Sequence, residues 1–344
     1  MKVNELFQSL KQKKPAAIYV ILGREEYTAR KILQSFVALV PEEQRTVNVG
    51  EYDMETTPLT TALEDALSAP FFGERRVVLI KRPYFLTGEN KKRKIEQHPE
   101  ALLSYLDHPE PTSVVVFWAP YPKLDERKKV TKRLLKKAVV VDNDFLNERS
   151  TRAYLKQQVT TAGYTIEKEA FELLLKKTEN QLSLIMNELP KLFLVAQATK
   201  KITGVMVERM VAQTLEQNIF DLSALVLDKK VQQAVVMYHN LLEQHEEPLK
   251  LNAILVGQVR LLLQVSILQQ NGYAQGNIAS VLKTHPYRVK LALQKCRRFG
   301  RAELRNAYLG LIQLEEKMKS TQQNPQQLFE LFMLGYFTRE KTTG

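Results

Sequence analysis

Four short apolar runs constrain this chain more than any other feature. They lie at residues 17–22, 76–80, 112–118 and 138–141, and valine or isoleucine recurs in each. A strand with one wet face alternates apolar with polar residues, whereas a run that is apolar throughout needs cover on both faces. The segments between these runs, 59–67, 99–106 and 124–136, have helical spacing instead. That order predicts a mainly parallel sheet with helices on both sides. A weaker alternating stretch, 46–52, is a candidate fifth strand.

Past Asp142 the pattern changes. From Asn147 onward only helical periodicity remains, punctuated by Gly163, Gly204, Pro248, Gly272, Pro286, Gly300 and Pro325. This helical part divides again near residues 211–217. Three domains are therefore expected: an α/β domain over 1–143, a small helical domain over 144–212 and a larger all-helical domain over 213–344. In the last, Leu251, Ile254, Leu255, Val259, Leu262, Leu263 and Val265 make one helix apolar around much of its circumference. Such a helix belongs at the centre of a bundle or an oligomer.

The α/β part has the outline of a nucleotide-binding domain without its phosphate-binding residues. Gly23 follows the first strand run and opens a helical pattern. A P-loop requires a second glycine, a lysine and a hydroxyl at fixed spacing, so that backbone N–H groups and an ammonium can cradle phosphates. Counting from Gly23, those places hold Thr28, Ala29 and Arg30. The site is degenerate and is expected not to bind nucleotide. No Gly-x-Ser-x-Gly elbow or Gly-x-Gly-x-x-Gly turn occurs either. The five histidines show no zinc-ligand spacing with each other or with Cys296, the lone cysteine. The reading is of no catalytic residue, no metal and no cofactor.

Charge and cysteine usage narrow the class further. A formal net charge of +12 favours an anionic partner such as nucleic acid. One cysteine excludes an internal disulfide framework and fits a reducing cytoplasm. No apolar run approaches the roughly 20 residues that span a bilayer, so a membrane location is not expected.

Two features are candidates for binding. Leu63, Ala66 and Leu67 are spaced to face the core from one helix, and Pro70 then turns the chain outward before Phe71 and Phe72. Adjacent rings cannot both point to one side of a regular element, so at least one is a candidate interface anchor. The plainer alternative is that both plug the α/β core. The second feature is the series Arg127, Lys128, Lys129, Lys132, Arg133, Lys136 and Lys137 on one predicted helix. It reads either as a phosphate-contacting face or as a solvated one. Residues 91–94, all basic, read as an exposed loop.

The order of several segments resembles the delta-subunit family of the bacterial DNA polymerase III clamp loader, in its Gram-positive branch. They are Tyr19-Val20-Ile21-Leu22-Gly23-Arg24-Glu25-Glu26, Ala69-Pro70-Phe71-Phe72-Gly73-Glu74-Arg75-Arg76-Val77-Val78 and Lys123-Leu124-Asp125-Glu126-Arg127-Lys128-Lys129. Then follow Asn187-Glu188-Leu189-Pro190-Lys191-Leu192, Asn218-Ile219-Phe220-Asp221-Leu222, Gln258-Val259-Arg260-Leu261-Leu262 and His285-Pro286-Tyr287-Arg288-Val289-Lys290. Pro190 departs from the family pattern, which has an acidic or polar residue there.

The resemblance implies an AAA+-like α/β domain, a helical lid and a helical collar. It implies a subunit that hydrolyses no ATP, binds the sliding clamp (the beta subunit) and favours its open ring. Partners implied are the ATPase subunits (tau/gamma), the delta-prime subunit and primer–template DNA. By resemblance the clamp-binding element maps to the end of the helix before the 76–80 strand, at Pro70, with its apolar wedge at Phe71 and Phe72. Arg127, Lys128, Lys129, Lys132 and Arg133 are candidates for a DNA contact on their charge alone, with a solvated helix face as the alternative. A rival reading takes residues 274–299 as a helix-turn-helix whose basic second helix enters the major groove of an operator.

Overall fold

The structure, a computed structural model, describes residues 1–11, 15–88, 95–213 and 215–338, without the side chains of Asn4, Phe337 and Thr338. The basic run at 91–94 lies outside the described residues. The chain falls into two compact units, Met1–Leu146 and Asn147–Gly344.

The first unit runs α1 (Val3–Lys11), β1 (Ile18–Leu22), α2 (Glu26–Val37), α3 (Arg45–Asn48), β2 (Val49–Asp53), α4 (Leu59–Leu67), β3 (Arg76–Lys81), α5 (Glu100–Asp107), β4 (Ser113–Ala119), α6 (Lys129–Lys137) and β5 (Val139–Asp142). Its five strands form one sheet in the order β2-β3-β4-β1-β5, and every pairing is parallel. Side chains alternate across it, as a period of two requires. Ile18, Val20, Val78, Ile80, Val115 and Phe117 pack on one face with Leu59, Leu63 and Ala66 of α4, Leu102 of α5 and Leu134 of α6. Tyr19, Ile21, Val77, Leu79, Val114 and Val116 pack on the other with Leu6 of α1 and Ile32 and Phe36 of α2. Cover on both faces is why the strands read as unbroken apolar runs. This is the AAA+-like parallel-sheet architecture expected for the first part.

Three local expectations differ from the structure. Residues 46–48 belong to the short helix α3, and the strand begins only at Val49. Helix α6 starts at Lys129 rather than at Leu124, because Asp125 accepts a hydrogen bond from the Arg127 N–H (3.2 Å) and turns the chain there. Arg127 and Lys128 therefore precede the helix. Leu67, spaced to join the core, is 54% exposed while Leu63 and Ala66 are buried. Helix α4 ends at that residue, and the Leu67 side chain lies beyond the cover that buries Ala66.

The second unit contains α7 (Glu148–Thr161), β6 (Thr165–Ile166), α8 (Lys168–Lys177), α9 (Leu182–Val195), β7 (Lys201–Ile202), α10 (Gly204–Met210), α11 (Leu215–Leu227), α12 (Val231–Glu243), α13 (Pro248–Gln270), α14 (Gln275–Leu282), α15 (Pro286–Cys296), α16 (Arg301–Ser320) and α17 (Pro325–Thr338). It is not purely helical, since β6 and β7 pair in parallel as a two-stranded ribbon. Pro190 lies inside α9. Buried side chains form two clusters, one spanning Leu155 to Val211 and one spanning Ile219 to Met333. Helix α13 has 23 residues and is long and apolar enough to cross a membrane, which the sequence reading did not anticipate. Its Leu251, Leu255, Val259, Leu262 and Val265 are buried in the second cluster, which makes it the core helix of that bundle.

Candidate functional site

The segment between α4 and β3 has no regular secondary structure, yet it is held at several points. Pro70 follows the end of α4, and both rings beyond it stand in solvent, Phe71 at 57% and Phe72 at 85% exposure. They meet edge to face with centroids 4.4 Å apart. The core-plug alternative is thereby excluded. Phe72 has φ +49°, a left-handed conformation that bulky residues rarely adopt and that costs about 1–2 kcal/mol. Behind the rings, the Phe71 N–H donates to Asn48 Oδ1 (2.7 Å) and Asn48 Nδ2 donates to the Phe71 carbonyl (2.8 Å). Arg76 forms an ion pair with Asp65 and donates from Nη2 to the Ala69 carbonyl (3.3 Å). An open groove beside Phe72 is floored by Phe7, Leu10 and Leu39. The chemistry on offer is apolar docking by rings on a pinned backbone.

At the turn after β1, where the sequence places the P-loop positions Gly23, Thr28, Ala29 and Arg30, the chain after β5 packs against the backbone. The Gly23 N–H donates to the Ala119 carbonyl (3.1 Å) and the Glu25 N–H to the Asn143 carbonyl (3.1 Å). Asn143 is buried; its Nδ2 donates to the Glu25 carbonyl (2.8 Å) and its Oδ1 accepts from Thr28. Glu25 is only 3% exposed, and its carboxylate accepts from the Tyr27 N–H at the start of α2. A helix N-terminus attracts anions, and here the chain's own carboxylate fills that role. Ala29 is fully buried, whereas Arg30 faces solvent. Arg24 pairs with Asp144 (3.0 Å) and lies over the Phe145 ring. Burial opposes the charged form of Asp144, but the hydrogen bonds, Arg24's first among them, hold its carboxyl below the usual range.

The five basic candidates near α6 are not equivalent. Arg127 pairs with Asp125 (2.8 Å), and that bond lowers the Asp125 carboxyl to about 2. Arg133 pairs with Asp107, and Lys128 donates to the Phe85 carbonyl (2.9 Å). Lys129 and Lys132 are exposed and have no ion-pair partner among the described residues. The face opposite them is anchored by Val130, Thr131 and Leu134.

The helix-turn-helix outline does occur, as α14 and α15, but α15 directs its basic residues inward to its own unit. Lys290 pairs with Glu148 (2.5 Å) and Arg288 with Glu179 (3.5 Å). Lys295 donates to the Phe220 carbonyl (2.9 Å) and sits over the Phe220 ring, and burial pushes its ammonium down to about 8. His285 caps the helix, accepting from the Tyr287 N–H, while Val289, Ala292 and Cys296 are buried. A recognition helix needs such side chains free for base edges. No cluster of histidine, cysteine, aspartate or glutamate suited to a metal occurs among the described residues.

Sequence reasoning missed Asn48 and Asn143. Their partners lie far along the chain, and no local pattern marks either residue.

Comparison with known proteins agrees along the length of the chain. The profile described as DNA polymerase III, delta subunit, matches residues 19–144. The one described as DNA polymerase III delta subunit, C-terminal domain, matches residues 216–336. DNA polymerase III subunit delta of Bacillus subtilis (strain 168) is 40% identical over 343 residues, covering 98% of each chain. A solved structure of the Bacillus subtilis DNA clamp loader delta protein is 39% identical, with a TM-score of 0.74 over 97% of this chain and 99% of that one. With a parallel-sheet unit followed along the chain by a mainly helical one and similarity over nearly its full length, the chain belongs to the delta-subunit family of bacterial DNA polymerase III, the non-catalytic subunits of the replicative clamp loader.

Proposed function

We propose that this chain grips the sliding clamp, the ring-shaped beta subunit, through Pro70, Phe71 and Phe72, and biases it toward an opened ring for loading onto primed DNA. The observation that carries this reading is the pair of phenylalanines held in solvent on a pinned backbone. Burying one such ring in a pocket contributes about 1.5–3 kcal/mol. The chain consumes no nucleotide in doing so, because the turn after β1 is closed by Asn143 and capped by Glu25. On this reading residues 1–143 carry the clamp element, 144–212 act as a lid and 213–344 act as a collar. The collar joins the ATPase subunits (tau/gamma) and the delta-prime subunit, and the assembly works in the cytoplasm.

Grip alone opens nothing. A ligand with equal affinity for two states shifts neither. The chain is therefore expected to bind a clamp variant held as a monomer at least about tenfold more tightly than the closed ring, the differential that changes a population ratio tenfold. Surface plasmon resonance with the full chain measures both. Absence of binding to either form rejects the grip, and equal affinities reject the opening bias.

Lys129 and Lys132 are the two basic candidates most available to phosphate, and we assign them to the DNA contact. Replacing both with alanine is expected to reduce the slope of log affinity against log salt, for primer–template bound by the assembled loader, by about 2. An unchanged slope removes α6 from the DNA path.

A further inference from the structure

We propose that Asn48 is a positioning residue that presets the phenylalanine pair for docking; this rests on the clamp-binding reading of Phe71 and Phe72. Asn48 is fully buried at the end of α3, and both polar ends of its side chain engage the backbone of one residue, Phe71, at 2.7 and 2.8 Å. The amide thus does for an irregular segment what a neighbouring strand does in a sheet: it fixes one residue through both of its backbone groups, the N–H and the carbonyl, and so holds the peptides on either side of it. The next residue, Phe72, is left-handed at φ +49°. Such a conformation persists at a bulky residue only where the surroundings over-determine it. Gly73 completes the arrangement, since a Cβ there would fall 2.6 Å from Gln44 Oε1 and 3.1 Å from Asn48 Nδ2. On the other side, Arg76 holds the Ala69 carbonyl. The rings are displayed in one arrangement before any partner arrives, and the ordering entropy of the segment is met during folding rather than at binding.

A residue that only satisfies a buried polar group and one that presets a docking segment differ in kinetics. If Asn48 presets the segment, removing it leaves only a fraction of molecules competent at encounter, and apparent affinity falls by that fraction. Once docked, the same rings fill the same pocket, so dissociation is unchanged. Asn48→Ala is expected to slow association with the immobilised clamp about tenfold while the dissociation rate stays within about twofold. Asn48→Asp keeps the side-chain volume but loses the donor to the Phe71 carbonyl. It is expected to slow association in the same way, and it serves as the test if the alanine variant does not unfold cooperatively. In a background lacking both rings, Asn48→Ala is expected to add no further loss, because it acts through them.

A folded Asn48 variant with wild-type association, a loss confined to dissociation, or a further loss in the ring-less background each overturns the proposal. The two readings fail separately. If Phe71→Ala with Phe72→Ala leaves binding intact, the clamp-binding reading falls and takes this one with it. If that double variant weakens binding and the Asn48 variants do not, only the positioning role falls.

Discussion

Phe71→Ala combined with Phe72→Ala is expected to weaken binding to the sliding clamp by at least about 100-fold, with thermal stability unchanged within about 0.5 kcal/mol. The magnitude follows from area. Two rings at about 1.5–3 kcal/mol each contribute roughly 3–6 kcal/mol on burial, and each 1.4 kcal/mol is tenfold in affinity. Stability is spared because the exposed rings, at 57% and 85%, contribute little to the core that α4 builds with Leu59, Ala62, Leu63 and Ala66. The single variants are expected to be non-additive. The rings touch edge to face at 4.4 Å, so removing one leaves the other without its support. Unlike loss of Asn48, loss of the rings removes contacts in the bound state, so the change appears mainly as faster dissociation. Surface plasmon resonance against immobilised clamp reads it directly. An affinity within about threefold of wild type (about 0.7 kcal/mol) would move the grip elsewhere on the molecule.

Legibility in the sequence followed physical scale. Strands β1, β3, β4 and β5 were readable because a sheet covered on both faces leaves an apolar run that needs no partner to interpret. The switch after Asp142 is readable because a helix with one buried face repeats its apolar residues every three to four positions. Ribbon β6–β7 was not, since two residues per strand are too few for an alternation to show. Leu67 was misread because helical spacing describes a face and not where its cover stops; α4 ends at that residue. Arg127 and Lys128 fall within the helical spacing of 124–136, while the deciding feature is the Asp125 side chain competing for backbone N–H groups. At the candidate site, Pro70 and two adjacent rings that cannot share one side leave an interface anchor and a core plug both open in the sequence, and the exposure of both rings in the fold decides against the plug. Asn48, the residue behind them, carries no local signal. Its importance lies in a contact 23 residues along the chain, which only the fold supplies.

Gly23→Val is expected to destabilise the α/β unit by about 2–6 kcal/mol, a large part of the stability of an ordinary domain. Gly23 has φ +137°, a region nearly closed to residues with a Cβ. A Cβ there would lie 2.2 Å from the Asn143 carbonyl carbon and 2.2 Å from the Asp144 nitrogen. Those are backbone atoms, and they cannot yield as a flexible side chain can. The Asn143 N–H donates to the Leu22 carbonyl (2.7 Å), its carbonyl accepts from Glu25, and its side chain bridges Glu25 and Thr28. Backbone strain contributes about 1–3 kcal/mol and the forced shift of a packed neighbour a similar amount. Urea unfolding of the full chain, followed by a probe in the α/β unit, measures the loss. A change below about 1 kcal/mol means that the two segments separate readily. The same atoms bear on nucleotide binding, because they close the turn against which a P-loop would cradle phosphate. A ligand that binds only the folded state raises its melting temperature by mass action. Mg-ATP at millimolar concentration is therefore expected to leave the melting temperature of the wild-type chain unmoved. A rise of more than about 2 °C, which for a chain of this size corresponds to roughly 1 kcal/mol, shows the turn opening to admit phosphate. An intolerant glycine and an indifferent response to nucleotide thus test one arrangement from two directions: a phosphate turn that the protein has packed with its own backbone.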